Sequence, residues 1–435
     1  MFTAGKDTFF MLYLKFQITG VEYMKRVLLA GAALALCVMV NAQEIKSPKL
    51  GKRLSSQQVV EYLAHDALQG RDGGTRGDTL ASDFILGQLE KLGLNPHKHP
   101  FTVKKGNINT FNVYGSIPGR SGKYIVVGAH YDHLGMGGQG SGSRRPDTLA
   151  IHNGADDNAS GVAGVLHLAK HFAKRKDLQH GIIFAAFGAE ERGIVGSKNM
   201  VENLHELELS GRKGVSVNDI VAMVNFDMIG RLRGKAITLG GTGTAKEMDA
   251  IIAGASHRMG NALKVTRSEQ GHGPSDHSAF YAKNIPVFYL TTGGTEDYHT
   301  PDDDSHKINF GGLDSVATFA ALLVEQVQGY PEGLTFTETA APAASPMRGG
   351  FKVSLGLMPD VTGQVENGLR AEIIVKGKPA YKAGMKNGDV IIQVNDIAIK
   401  DIQVYMQALG TLKKGDLVKV KVLREGKEMQ FDVQL

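Results

Sequence analysis

Up to about residue 327 the apolar residues of this chain arrive in two rhythms. Tyr124 to Ala129, Gly181 to Phe187, Val221 to Phe226 and Ile285 to Leu290 are apolar runs, with Asn225 the polar exception. Such runs predict strands buried on both faces, as in a mostly parallel sheet. Before, between and after them the spacing turns helical, at about Thr79 to Leu92 with Gly93 as its stop, Ser160 to Arg175, Thr244 to Met259 and Leu313 to Val327. Ser55 with Gln58 reads as a capping box opening a helix through Ala64. Together these predict an α/β fold, a mostly parallel central sheet flanked by helices.

From Gln328 to Gly350 the periodicity gives way to Pro, Ala, Thr and Gly, the composition of a linker. Beyond it Val418, Val420 and Val422 alternate with Lys, and after the Glu425-Gly426 turn Met429, Phe431, Val433 and Leu435 alternate in the same way. That is a β-hairpin with one buried face, in a small mainly-β domain. A chain of 435 residues is too long for one compact core, which agrees with two folded domains.

The N-terminus reads as an export signal over residues 1–42. Lys25 and Arg26 precede the apolar run Val27 to Val40, and Val40-Asn41-Ala42 resembles a small-residue cleavage site before Gln43. Met24 is the expected start, since residues 1–23 sit awkwardly ahead of the basic pair. The run is short for a membrane span, so no stable span is expected after cleavage. The expected division is signal 1–42, first domain 43–327, linker 328–350 and second domain 351–435. An exported chain of this kind belongs in the periplasm or outside a bacterial cell.

Composition narrows the chemistry. The net charge of +5 is dispersed, with no long run of Lys or Arg, which argues against nucleic acid as a partner. Cys37 is the only cysteine and lies in the signal. The mature chain can form no disulfide, and any metal must be held by His, Asp or Glu. Those residue types cluster just after the predicted strands, where open α/β sheets place their ligands. They are His130 and Asp132, then Asp156 and Asp157, then Glu190 and Glu191, then Asp227, then His299 in Tyr298-His299-Thr300-Pro301-Asp302. Two imidazoles with several carboxylates make an N/O site suited to zinc or a similar divalent ion.

These segments resemble the M28 family of co-catalytic zinc peptidases across most of residues 60–325. His-x-Asp, Gly-Ala-Asp-Asp-Asn-Ala-Ser-Gly, Gly-Ala-Glu-Glu, Asn-Phe-Asp and Tyr-His-Thr-Pro-Asp arrive in the family's order. The resemblance implies two Zn²⁺, with Co²⁺ or Mn²⁺ as the other candidates. His130 and Asp227 would bind one ion, Glu191 and His299 the other, and Asp156 would bridge both. Asp132 would orient His130, Glu190 would be the general base, and Tyr298 is a candidate oxyanion donor. The family usually has a cis peptide between the residues matching Asp156 and Asp157. The implied activity is hydrolysis of peptides or proteins, releasing N-terminal amino acids by attack of a bridging water that Glu190 activates.

Other polar residues suggest plainer roles. His167 and His171, one helical turn apart, lack a third ligand and read as helix surface. Asp302, Asp303 and Asp304 read as helix-start or solvated acids. Ser275-Asp276-His277 resembles a family segment lining the site, or is a loop hydrogen-bond pair. The glycine-rich stretch Met136 to Gly142 lacks the ending of a phosphate loop and reads as a loop at the active-site rim.

Residues 351–435 resemble the bacterial, circularly permuted PDZ type. Ser354-Leu355-Gly356-Leu357 matches its carboxylate-binding loop, Ala380 to Met385 and Asn387 to Ile392 its short helix, turn and strand, and Asp401 to Leu409 its groove helix. Such a groove takes a peptide C-terminus as an added strand. The alternatives are a carboxypeptidase or dipeptidase, a glutaminyl-cyclase-like enzyme on the same scaffold, and a PDZ-led binding protein with an inactive hydrolase domain.

Overall fold

The computed structural model describes residues 54–145, 147–339 and 353–435, apart from 360–364, 366, 375 and 401. The expected export signal with Cys37, the linker residues 340–350 and Asp401 lie outside the described residues.

In chain order the strands of the first domain are β1 (His97–Val103), β2 (Ile108–Ile117), β3 (Tyr124–His130), β4 (Gly181–Phe187), the short hairpin β5 (Glu208–Leu209) and β6 (Arg212–Lys213), β7 (Ile220–Phe226), β8 (Ala236–Gly240), β9 (Lys264–Arg267) and β10 (Val287–Thr291). Eight of them form one sheet in the order β1-β2-β4-β3-β7-β10-β8-β9. The four apolar runs of the sequence are its centre, since β4, β3, β7 and β10 lie side by side and parallel. Every residue of β3, β4 and β7 is buried. Alternate side chains leave a strand on opposite faces. Ile125, Val127 and Val224 accordingly join the core on one face, and Val126, Ile183 and Met223 the core on the other.

The flanks differ from a purely parallel sheet. The β1–β2 hairpin adds to β4 in antiparallel register, and β8 is antiparallel to β10. Helices Ser56–Leu63, Arg76–Lys91, Gly161–Phe172, Met248–Arg258 and Phe310–Val327 contribute to the first core. Ser55 and Gln58 form the expected capping box. Helix Phe310–Val327 is long and apolar enough to cross a membrane, but most of it is buried against this core.

The first domain runs past its expected end at 327. Lys246 donates its backbone N–H to the Thr335 carbonyl at 3.1 Å, and Thr337 donates to Thr244 at 2.9 Å. Phe336 packs against the second core, and the Thr339 N–H reaches the Tyr281 hydroxyl at 2.8 Å. Residues 328–339, expected as linker, therefore belong to the folded domain.

The second domain has its own core, in which Leu355, Ile391, Tyr405 and Val420 are buried. Strands Leu417–Arg424 and Lys427–Gln434 form the predicted hairpin, pairing Val418 with Val433 and Val420 with Phe431. Its outer end departs from the expected pattern, because Met429 is exposed. Buried Asp389 receives two hydrogen bonds from Arg424, at 2.7 and 2.8 Å.

Candidate metal centre

The parallel strands deliver their chemistry at one edge. His130 is the last residue of β3, Glu190 and Glu191 follow β4, Asp227 follows β7, and His299 lies in the loop after β10. Ala189, Met228 and His299 all have a left-handed backbone, with φ of 55° at each. Away from glycine that conformation costs on the order of 1 kcal/mol or more, and such positions gather at functional sites. Here they turn the chain so that neighbours on the sequence can serve one point in space.

That point is Asp157. Its Oδ1 lies 3.3 Å from His130 Nε2, and its Oδ2 lies 3.2 Å from His299 Nε2. Asp227 Oδ1 completes the His130 side at 3.8 Å, and Glu191 Oε2 completes the His299 side at 3.1 Å. His130, Asp157 and Asp227 offer ligand atoms close enough together to hold one ion, and His133, Asp157 and Glu191 do the same beside them. The carboxylate common to both sets is Asp157, where the sequence reading expected Asp156.

Asp156 is turned to other work. Its Oδ1 accepts the Gly230 N–H at 2.7 Å and the Ser160 hydroxyl at 3.3 Å. The chain between them is not helical at Asp157 (φ −109°, ψ 90°) or Asn158 (φ −137°, ψ 45°), and this sends the two adjacent side chains in different directions. The cis peptide likewise lies one bond beyond its expected place, between Asp157 and Asn158.

Asp132 also differs from expectation. Its carboxylate accepts the backbone N–H groups of Glu190 at 2.9 Å and Glu191 at 3.2 Å. The His130 Nδ1 faces the backbone carbonyl of Asp132 at 3.2 Å, nearer than the Asp132 carboxylate at 3.8 Å. Glu190 Oε2 stands 4.0 Å from His130 Nε2, beside the ligand set rather than within it. Tyr298 stacks on the His299 ring with centroids 3.9 Å apart. Burial and the neighbouring carboxylates raise its pKa, so its hydroxyl keeps a proton to donate.

The donor set fits divalent cations on charge grounds. Asp132, Asp157, Glu190, Glu191 and Asp227 are crowded and mostly buried, and their ion pairs among the described residues are with histidines. Burial pushes the Asp132 carboxyl up to about 8, and burial with neighbouring Glu191 raises Glu190 as well. A cluster of carboxylates taken out of water needs compensating positive charge. Imidazole and carboxylate oxygens at this spacing suit zinc.

Fully buried Arg71 does not supply that charge by direct pairing. Its guanidinium donates to backbone carbonyls, to Tyr131 at 2.7 Å, Asn153 at 2.6 Å and Gly154 at 3.0 Å, and also to Leu63. It thereby ties the segment after β3 to the segment that carries Asp157.

Several side chains take roles that the sequence did not disclose. Asp303, expected to be solvated or to start a helix, is buried and accepts the N–H groups of Asp156 and Asp157, each at 3.0 Å. Asp302 pairs with Arg145, and Asp304 accepts from Asn153. The rim loop at 136–142 touches the site, because the Gly142 carbonyl lies 3.1 Å from His299 Nδ1. His171 bonds Glu325 at 2.9 Å and His167 approaches Asp314 at 3.5 Å, so both join helices rather than bind metal. Ser275 accepts from Asn225 at 2.8 Å, and Asp276 beside it is fully buried. His133 was missed altogether; a single histidine three residues after His130 carries no pattern of its own.

Residues 112–324 match the model of peptidase family M28, and residues 356–435 match that of the PDZ domain. A probable leucine aminopeptidase of Trichophyton verrucosum is 29% identical over 222 residues, covering 47% of this chain and 52% of that protein. The chain thus spans about half the length of such curated relatives. Among solved structures, an aminopeptidase from Aneurinibacillus sp. strain AM-1 aligns with a TM-score of 0.51 at 17% identity, covering 65% of this chain and 94% of that one. The glutaminyl cyclase of Porphyromonas gingivalis aligns with a TM-score of 0.52 at 19% identity, covering 62% and 96%. At these identities the two structures speak for the fold alone. Residues 112–324 thus carry a stretch that matches peptidase family M28, and a PDZ domain match follows it at residues 356–435.

Proposed function

We propose that the chain is a zinc aminopeptidase that holds two ions and releases N-terminal residues from peptides. The observation that carries this reading is the position of Asp157, with one oxygen toward His130 and the other toward His299. His130 and Asp227 would hold one ion, Glu191 and His299 the other, and Asp157 would bridge them. Bound there, the ions would polarise the scissile carbonyl and acidify a water molecule.

The chain's own residues would then do the following work. Glu190, held by its N–H to Asp132, stands close enough to His130 to take a proton from the attacking water and pass it to the leaving amine. Burial and the neighbouring Glu191 carboxylate raise its pKa, which makes it a better proton acceptor, as suits a group that must both accept and return a proton. The Tyr298 hydroxyl would donate to the developing oxyanion. The backbone bonds from Asp303 and Arg71 keep the Asp157 segment fixed while this happens. The PDZ groove would take the C-terminal end of a peptide, and the apolar stretch 27–40 supports export.

A mixture of peptides with free and acetylated N-termini, followed by mass spectrometry, tests this. Stepwise loss of residues from free N-termini alone is expected. Loss from C-termini would make the chain a carboxypeptidase, and conversion of N-terminal glutamine without cleavage would support the cyclase alternative.

A further inference from the structure

His133 is fully buried three residues after His130, and it has one polar partner of consequence. Its Nδ1 lies 2.9 Å from Glu191 Oε1, while the nearer oxygen of Asp157 is 3.9 Å away. The other oxygen of the same carboxylate, Glu191 Oε2, faces His299 Nε2 at 3.1 Å. The two oxygens of Glu191 are therefore divided between two histidines. A carboxylate only accepts, so the proton of this contact sits on His133 Nδ1.

The ring has little room to do anything else. A β-carbon on Gly154 would come within 2.5 Å of it, and Gly154 occupies a left-handed backbone position (φ 55°). Gly154 also begins the turn that leads to Asp157. The His299 ring meets the His133 ring edge-on, with centroids 5.7 Å apart. The His133 Nε2 is buried with no hydrogen-bond partner.

We propose that His133 is a positioning residue for Glu191. By donating Nδ1–H to Oε1 it holds the carboxylate so that Oε2 alone is presented beside His299 and Asp157. This rests on the two-ion reading, and it makes a narrower claim: His133 sets the affinity of the ion on the His299 side and leaves the ion on the His130 side alone. Partners that orient a metal-bound ligand typically govern affinity by ten- to a hundred-fold.

The test is equilibrium zinc titration of the full chain against a chromophoric chelator, with His133→Phe and His133→Asn beside wild type. Phenylalanine keeps a ring against Gly154 but removes the donor, and asparagine places an amide N–H near the position of Nδ1. The expected result is two ions in wild type, roughly ten- to a hundred-fold weaker binding of one ion in the Phe variant, and recovery of most of that loss in the Asn variant. If the Phe variant does not fold, His133→Leu takes its place. The cobalt-saturated Phe variant should keep the wild-type visible spectrum. Wild-type affinities in the Phe variant would overturn the proposal, as would an Asn variant no better than Phe. A shifted cobalt spectrum would make His133 a ligand instead. A single ion in wild type would defeat the two-ion reading itself, and this is seen before any variant is measured.

Discussion

The carboxylate of Asp132 accepts the backbone N–H of Glu190 at 2.9 Å. This bond holds the turn after β4 in place, and the next N–H, from Glu191, is accepted by the other oxygen. Asp132→Ala should therefore misplace both glutamates at once. Its expected effect is a drop in kcat of about a hundred-fold with the KM for a small substrate little changed. Steady-state kinetics beside zinc content will show it. A variant that kept kcat but lost the ion on the His130 side would return Asp132 to the role of orienting His130.

Glu190 lies outside the ligand set, so its loss should spare the metal. Glu190→Gln is expected to lower turnover by about 10²- to 10⁴-fold while zinc content stays at the wild-type level. Turnover and metal analysis on the same sample decide this.

Asp156 and Asp157 make the sharpest pair. Asp157→Asn should lose both ions from dialysed protein, since one carboxylate serves both sides. Asp156→Asn should keep both and instead lower stability, by about 1–3 kcal/mol, because its buried oxygen takes the Gly230 N–H. Metal content and denaturant unfolding separate the two outcomes.

Arg71 also predicts a loss of stability. Arg71→Met leaves the Tyr131, Asn153, Gly154 and Leu63 carbonyls buried without their donor. The expected destabilisation is about 3 kcal/mol or more, read from the urea midpoint of the metal-free protein.

Glu325 gives a pH-dependent term. Burial pushes its pKa up, but hydrogen bonds from His171 and Arg258 hold it below its ordinary 4.5. A lowered folded-state pKa means stability that is present above the unfolded value and lost as pH falls through the folded one. Glu325→Gln should cost about 0.5–1 kcal/mol near pH 7, and the difference should shrink below about pH 4.5. Unfolding free energies at neutral pH and near pH 3.5 measure it.

Much of this was legible in the sequence. The four apolar runs became the four adjacent parallel strands, because burial on both faces favours apolar side chains; the polar exception, Asn225, is buried and donates to the Ser275 hydroxyl at 2.8 Å. The acids and histidines after those strands converged for the same reason, since parallel strands end on one side. Local backbone geometry was harder to read. Asp156 and Asp157 are chemically identical neighbours, and only the dihedrals after Gly154 decide which one faces the histidines. Asp303 looked solvated because its partners are backbone N–H groups, which leave no trace in a sequence. The β1–β2 hairpin was missed because edge strands such as His97–Val103 carry mixed exposure rather than a continuous apolar run. Residues 328–339 looked like a linker, yet a single Phe336 and a few main-chain bonds fasten them to the domain.

The most direct measurement of the central claim is the rate of p-nitroaniline release from leucine p-nitroanilide and from its N-acetylated form. Each would be followed with protein as purified, after chelation, and after zinc is restored. The two-ion aminopeptidase reading predicts cleavage of the free amine only, abolished by chelation and regained with two zinc equivalents per chain. Equal cleavage of the acetylated form, or activity that survives complete removal of metal, would contradict it.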